Sequence, residues 1–442
     1  MPGPYLIEEL ITQGGRITVR PGEQFRRRFT GTAFTVDYGP DVDLADVRRE
    51  ILAIPFLLNV LPAVWLSGET YRIRRLDQEL STSLPQVREA YQRLFPARTW
   101  DGDLIADEHV AHAKDGRIDG ENVAVLFSGG LDSVYTSLTH RAKRQLPITI
   151  LSMLGVYDWR DSAACQAARN HFIASAARHG HEPAFVTSNL DGYLPIRRLV
   201  DLWPDPRRWM VEVQHGLGFV GLAIPLMESR GVRRLLMAGC EADHYGMPWG
   251  SHPKIVGALR WSGGEVVQDG LDVTRQKKVQ RIISMCAEPD VLPPAIKSCL
   301  RPTDGFRNCG FCSKCLQTAL ALYAEVADPN AFGFDLSLDR TLRYLRERLR
   351  SQRFSLLHDA DLAEWKDIQE AVRRRLNVAR DADETPGDLR WFAVFDWDAY
   401  SARLDAAEQG AMRRVRRRMG LWIDARPRLR RPIRALMDRM LK

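Results

Sequence analysis

Apolar and polar residues alternate along RITVRPGEQF (16–25), TGTAFTVDY (30–38) and ETYRIRRL (69–76), a period of two that predicts half-buried strands. Between them ILAIPFLLNVLPAVWL (51–66) is apolar almost throughout and reads as a buried helix or helix pair, and Ser81 or Thr82 is placed to cap a helix over 84–95. A loop rich in Asp, Gly and His follows from 101 to 122. There the rhythm changes. NVAVLFS (122–128), PITILSML (147–154), EPAFVTS (182–188) and RRLLMAGC (233–240) are short apolar runs, separated by the helical stretches 132–145, 161–180 and 213–231. Strands alternating with helices predict a parallel sheet covered on both faces, with ligands at the carboxyl ends of the strands. Beyond about residue 330 the pattern is helical, over 338–352, 361–376 and 396–420. The expected architecture is therefore α/β: an α+β N-terminal region (1–118), a doubly wound core (119–328) and a helical C-terminal region (329–442).

Composition narrows this picture. A chain of 442 residues exceeds what one core usually organises, and its ordinary apolar and charged fractions predict a folded protein. The longest apolar run carries two prolines and an asparagine and falls short of the roughly 20 residues that span a bilayer. The N-terminus lacks a basic start followed by an apolar stretch, so no secretory signal and no membrane span are expected, and the location expected is cytoplasmic. The net charge of +7 is uneven: residues 401–442 alone carry thirteen Arg or Lys against four Asp or Glu. Such a tail suits nucleic acid, an anionic surface or an acidic partner protein, and equally a solvated helix face with Leu421, Trp422, Ile433, Leu436 and Met437 turned inward.

The first apolar run of the core ends in SGGLDS (128–133), where larger apolar residues would pack better. Two glycines let the backbone approach a ligand, the hydroxyls of Ser128 and Ser133 can bond phosphate oxygens, and a helix starting near Asp132 directs its free N–H groups at the same point. No lysine follows the glycines, so this is not the nucleoside-triphosphatase loop. An aspartate beside an anion fits if hydrated Mg²⁺ lies between them. The motif resembles that of the PP-loop ATP pyrophosphatases, which cleave ATP between its α- and β-phosphates. The resemblance implies ATP and Mg²⁺ as cofactors and assigns the nucleotide to Phe127, Ser128, Gly129, Gly130, Leu131, Asp132 and Ser133, with Leu154 and Gly155 flanking the adenine.

Seven cysteines include Cys299, Cys309, Cys312 and Cys315, spaced C-x₉-C-x₂-C-x₂-C, a set suited to tetrahedral Zn²⁺ with Gly310 easing the turn. Four sulfurs leave no open position, so the zinc is expected to be structural; an iron–sulfur cluster is the alternative. Cys165, Cys240 and Cys286 are expected to be small buried residues. Loop and cluster together resemble the 7-cyano-7-deazaguanine synthase (QueC-like) family over about 122–325. Members adenylate the carboxylate of 7-carboxy-7-deazaguanine, form an amide with ammonia, and dehydrate it to a nitrile. The resemblance implies an ATP-dependent carbon–nitrogen ligase acting on a deazaguanine-type substrate, with catalytic residues Ser128, Asp132, Ser133, Asp243 in a substrate loop (241–253) and Arg275 in GLDVTRQKKVQRI (270–282). The chain departs from the family at Trp249, Gly250, Ser251 and His252, where an Asp-Cys-Arg run is usual. Longer relatives of this type serve bacterial anti-phage systems, which implies a protein or amine acceptor and defence partner proteins. His215 is a candidate phosphate or ribose contact, His244 and His252 candidate proton acceptors, and Lys277 a candidate phosphate partner. A PP-loop tRNA or small-molecule modifier (a thiolase or amidotransferase) and a non-catalytic ATP-sensing scaffold are the other readings.

Overall fold

The alternating N-terminal stretches pair as β1 (Ile7–Gln13), β2 (Arg16–Pro21) and, after α1 (Glu23–Phe29), β3 (Phe34–Asp37), an antiparallel ribbon. The computed structural model describes residues 3–112, 122–141, 148–154, 162–239, 248–299, 304–351, 359–378 and 389–404. The apolar run over 51–66 forms one helix, α2 (Arg49–Ser67), with Pro55 and Pro62 inside it. Next come β4 (Thr70–Asp77), α3 (Gln78–Leu94) and β5 (Asp103–Val110), in which β4 and β5 pair in parallel as a separate two-stranded sheet. Two expectations need correction here. Helix α3 starts earlier than predicted because its cap is Asp77, not Ser81 or Thr82: the buried Asp77 carboxylate accepts from Leu80 N at 2.9 Å and from Ser262 N at 3.0 Å. Part of the presumed 101–122 loop is strand β5, whose polar composition hides a pairing with β4.

The core alternates as expected through β6 (Val123–Leu126), α4 (Leu131–Arg141), β7 (Thr149–Leu154), α5 (Ser162–His179) and β8 (Glu182–Ser188). It continues through α6 (Ile196–Leu199), α7 (His215–Ser229), β9 (Arg234–Ala238), α8 (Pro253–Val256), β10 (Arg260–Trp261) and β11 (Gly264–Asp269). The sheet order is β1-β2-β3-β8-β7-β6-β9-β11-β10. Its five middle strands, from β8 to β11, are all parallel. Taken in chain order they run third, second, first, fourth, fifth, so the winding reverses between β6 and β9. The fold is thus α/β with a mixed sheet around a parallel centre.

Helices cover both faces. Ala124, Leu151, Leu235 and Val266 share one cluster with α2, α3 and α7, while Val123, Val125 and Leu236, pointing the other way, lie on the face that α4 packs against. Helices α2 and α7 approach closely because α7 offers glycines to α2. A Cβ on Gly218 would lie 2.6 Å from Asn59 Oδ1, and one on Gly221 3.0 Å from Leu58 Cβ. Asn59 in turn accepts from Gln214 Nε2 at 3.1 Å. By length and composition α2 and the stretch Met210–Ser229 would pass as membrane spans, yet both are mostly buried within the protein. Each is a core helix by packing.

After β11 come α9 (Arg275–Met285) and α10 (Ser313–Ala324). The chain divides into two units, residues 1–337 and 338–442, and the first includes both the N-terminal ribbon and the parallel core because β3 pairs with β8. Described helices of the second unit are α11 (Leu338–Arg350), α12 (Asp359–Val378) and α13 (Leu389–Ala393), and residues 397–404 are helical as well. The basic stretch beyond 404, which held the tail expectations, lies outside the described residues.

Candidate functional site

The SGGLDS segment connects β6 to α4, at the carboxyl end of the strand where the winding reverses. That is the position at which open α/β sheets leave a crevice. Two bonds fasten the loop to β7: Phe127 N donates to Leu151 O at 2.8 Å, and Ser152 Oγ donates to Phe127 O at 2.9 Å. Gly129 has φ +71°, a conformation that costs an L-residue roughly 1–2 kcal/mol. Its carbonyl accepts from Lys297 N at 2.7 Å. Gly130 N donates to Ser128 Oγ at 3.3 Å, Ser133 Oγ donates to Gly130 O at 3.0 Å, and the two serine oxygens are 3.3 Å apart. Ser128 is exposed and Ser133 buried, so the loop turns one hydroxyl outward above the first turn of α4. The unpaired amides of a helix's first turn suit an anion there.

Cations gather beneath this turn. The side chain of Lys278 is only 1 % exposed and donates to Asp132 Oδ1 at 2.9 Å and to Gly239 O at 2.6 Å, while Arg275 Nη1 lies 3.6 Å from Asp132 Oδ2. Burial alone would favour the protonated acid, but Arg275, Lys278 and Lys314 outweigh it and hold the Asp132 carboxyl below its ordinary range. Asp132 and Arg275, both candidates from the sequence, are therefore brought together. The expected phosphate partner Lys277 is exposed, and it is the next residue, Lys278, that turns inward. Thr274 caps α9, its side chain accepting from Lys277 N.

His171, on α5, was not anticipated. Its Nε2 is buried without a hydrogen-bond partner, and a Cβ on Gly129 would lie 3.4 Å from it. Burial first, then Lys297, lowers its pKa to about 4, so the ring is neutral at pH 7.

Other candidates lie apart from the loop or outside the described residues. Leu154 is a buried residue at the end of β7. Gly155, Cys240, Asp243, His244 and Gly246 fall outside the described residues. His215 starts α7, bonds Ser251 Oγ through Nδ1, and sits 4.5 Å from the Phe219 ring and 5.9 Å from Trp249; burial lowers its pKa to about 4. The expected proton acceptor His252 instead caps α8, its Nδ1 accepting from Lys254 N at 3.1 Å. Cys165 and Cys286 are only partly buried, contrary to expectation: both sit on or just past helix ends and faces that reach solvent.

Cys299, Cys309, Cys312 and Cys315 converge, with all four Sγ atoms within 4.8 Å of one another. The Sγ atoms of Cys309 and Cys315 are 3.9 Å apart, as are those of Cys299 and Cys312. A tetrahedron of Zn–S bonds about 2.3 Å long has edges of about 3.8 Å, so the set fits such an ion. Gly310 adopts φ +74° at the turn between two of the ligands, as expected. Asn308, which the sequence reading missed, clamps the site: its Oδ1 accepts from Ser298 N and Cys299 N, both at 3.1 Å, and its Nδ2 donates to Ile296 O at 2.8 Å and Gly333 O at 3.0 Å. The same strand of chain carries Lys297 to the carbonyl of Gly129. The four-cysteine cluster is therefore joined to the glycine loop through Lys297.

Comparison with protein-family models, with curated proteins and with solved structures returns no match for this chain.

Proposed function

We propose that the chain is an ATP-dependent ligase of the PP-loop type, similar to the 7-cyano-7-deazaguanine synthases, that joins a carboxylate to an amine through an acyl adenylate. The observation that carries this reading is the position of Ser128–Ser133 at the reversal of strand order, above a buried lysine and beside Arg275. A carboxylate oxygen of the substrate attacks the α-phosphorus of ATP, and the bond from that phosphorus to the bridging oxygen breaks. Pyrophosphate leaves with the electron pair, held by the loop amides and the hydroxyls of Ser128 and Ser133. An amine then attacks the acyl carbon, AMP departs, and the proton lost from nitrogen passes to solvent or a neighbouring base. Mg²⁺ accompanying the triphosphate would neutralise part of its charge. Zinc held by the four cysteines would have a structural part only, since the ligand set is complete. Asp132 acts here by fixing Lys278 and Arg275 under the loop.

Incubating the protein with ATP, Mg²⁺, 7-carboxy-7-deazaguanine and ammonium should release AMP and pyrophosphate in equal amounts, as chromatography of the nucleotides would show. Release of ADP, or AMP formation that ignores the carboxylate, contradicts the proposal. Binding of ATP without any turnover would favour a sensing role instead.

A further inference from the structure

The helical second unit carries a site of a different chemistry. On α11, Arg343, Arg346 and Arg350 follow at intervals of three and four residues, which places them on one face of the helix. Arg346 and Arg350 form a shared wall of two cavities. One, of about 270 Å³, is completed by Trp391, Phe395, Tyr400 and Arg403; the other, of about 700 Å³, extends along α11 past Arg343, Glu347 and Asp339. Four arginines thus face the two cavities against two carboxylates.

The aromatic wall is firmly held. Gln369 Nε2 on α12 donates to Phe392 O at 2.9 Å and to Phe395 O at 2.7 Å, and Arg373 Nε donates to Ala393 O at 2.8 Å. Trp397 stacks on Trp365 at 5.0 Å and meets Phe395 edge-on at 4.8 Å. Trp391 and Phe395 stay half-buried, their rings 5.5 Å apart, with the Arg346 guanidinium 4.7 Å from the centre of the Trp391 ring. The Tyr400 hydroxyl feels burial first, with Arg403 and Arg348 opposing it, so further guanidinium charge lies close by.

We propose that this face binds single-stranded nucleic acid. Arginines in a groove track a phosphate backbone, and half-buried rings at its end give bases a stacking platform; carboxylates of an acidic polypeptide would have no use for the rings. From Asp339 to Arg350 the groove follows about 16 Å of helix, at roughly 1.5 Å per residue, which is longer than one nucleotide needs. This site is independent of the ligase reading.

The test uses the full-length protein and a short fluorescent oligouridylate, read by anisotropy over a range of salt. All variants keep the basic tail, so a difference between them reports on the α11 face. Replacing both Arg346 and Arg350 by alanine should weaken binding about tenfold or more and reduce the salt slope by about 1.4, at about 0.7 per phosphate contact on a single strand. Trp391→Ala should weaken binding by about tenfold with little change in slope. Photocrosslinking with 4-thiouridine should place adducts on the peptide that spans 391–400 in the wild type. Unchanged affinity in the correctly folded arginine variant, adducts confined to residues beyond 404, or equally tight binding of polyglutamate would overturn the assignment.

Discussion

Replacing Cys315 by serine should strip the protein of about one zinc ion per chain and lower its melting temperature by roughly 10 °C. Cys315 is fully buried at the start of α10, and its sulfur completes a set in which the Cys309–Cys315 and Cys299–Cys312 separations, both 3.9 Å, match a tetrahedral ion. Binding of structural zinc is worth on the order of 10 kcal/mol in small peptides; a well-packed domain should lose only part of that. Even about 5 kcal/mol would account for the predicted shift, at about 2 °C per kcal/mol for a large domain. Should the Cys315 variant fail to accumulate, Cys309→Ser, at a half-buried ligand, offers the same test with a milder insult. Elemental analysis of the purified wild type decides the matter independently. Iron with sulfide in place of zinc would identify a cluster, and no metal at all would leave the four thiols unexplained.

Gly129→Ala should reduce substrate-dependent AMP formation by up to about tenfold while costing about 1–2 kcal/mol of stability. The stability cost arises from φ +71°, which a Cβ disfavours. A functional loss follows from crowding: the new methyl would lie 3.3 Å from Phe172 Cε1, tighter than ordinary contact, and 3.4 Å from His171 Nε2, at its lower limit. Relief requires the loop or its neighbours to move by a few tenths of an ångström, and the Lys297–Gly129 bond that joins the loop to the cysteine cluster moves with it. Displacing reacting atoms by about 1 Å costs about 10² in rate, so the smaller shift costs up to about tenfold. Comparison of urea denaturation with turnover separates the two effects. Equal loss in both would mean that Gly129 serves folding alone.

Much of the core was legible because parallel strands are buried on both faces. VAVL is continuously apolar and TILSML nearly so, and the small residues that follow the first of them signal a loop rather than more strand. The outer strands were harder. β5 is largely exposed and carries Asp, Glu and His, so its composition resembles a loop; only the tertiary pairing with β4 makes it a strand. Strand β11, GEVVQD, has only two β-branched residues among Gly, Glu, Gln and Asp, and goes unread although it pairs in parallel with β9. Within the candidate site, Ser128, Asp132 and the cysteines could be picked out from local pattern, and Arg275 from the family resemblance. Lys278 lies one helical turn past Arg275 and was accessible to the same reasoning, but Lys297, Asn308 and His171 act across long separations that no local pattern encodes. His215, a candidate contact or a cap from its place at a helix start, bonds Ser251 and packs against Phe219 and Trp249.

The most direct test is a crystal structure of the protein soaked with a non-hydrolysable ATP analogue and Mg²⁺. The β- and γ-phosphates should occupy the turn between β6 and α4, within hydrogen-bond distance of Ser128, Gly130 and Ser133. Density for those phosphates anywhere else on the protein would contradict the account.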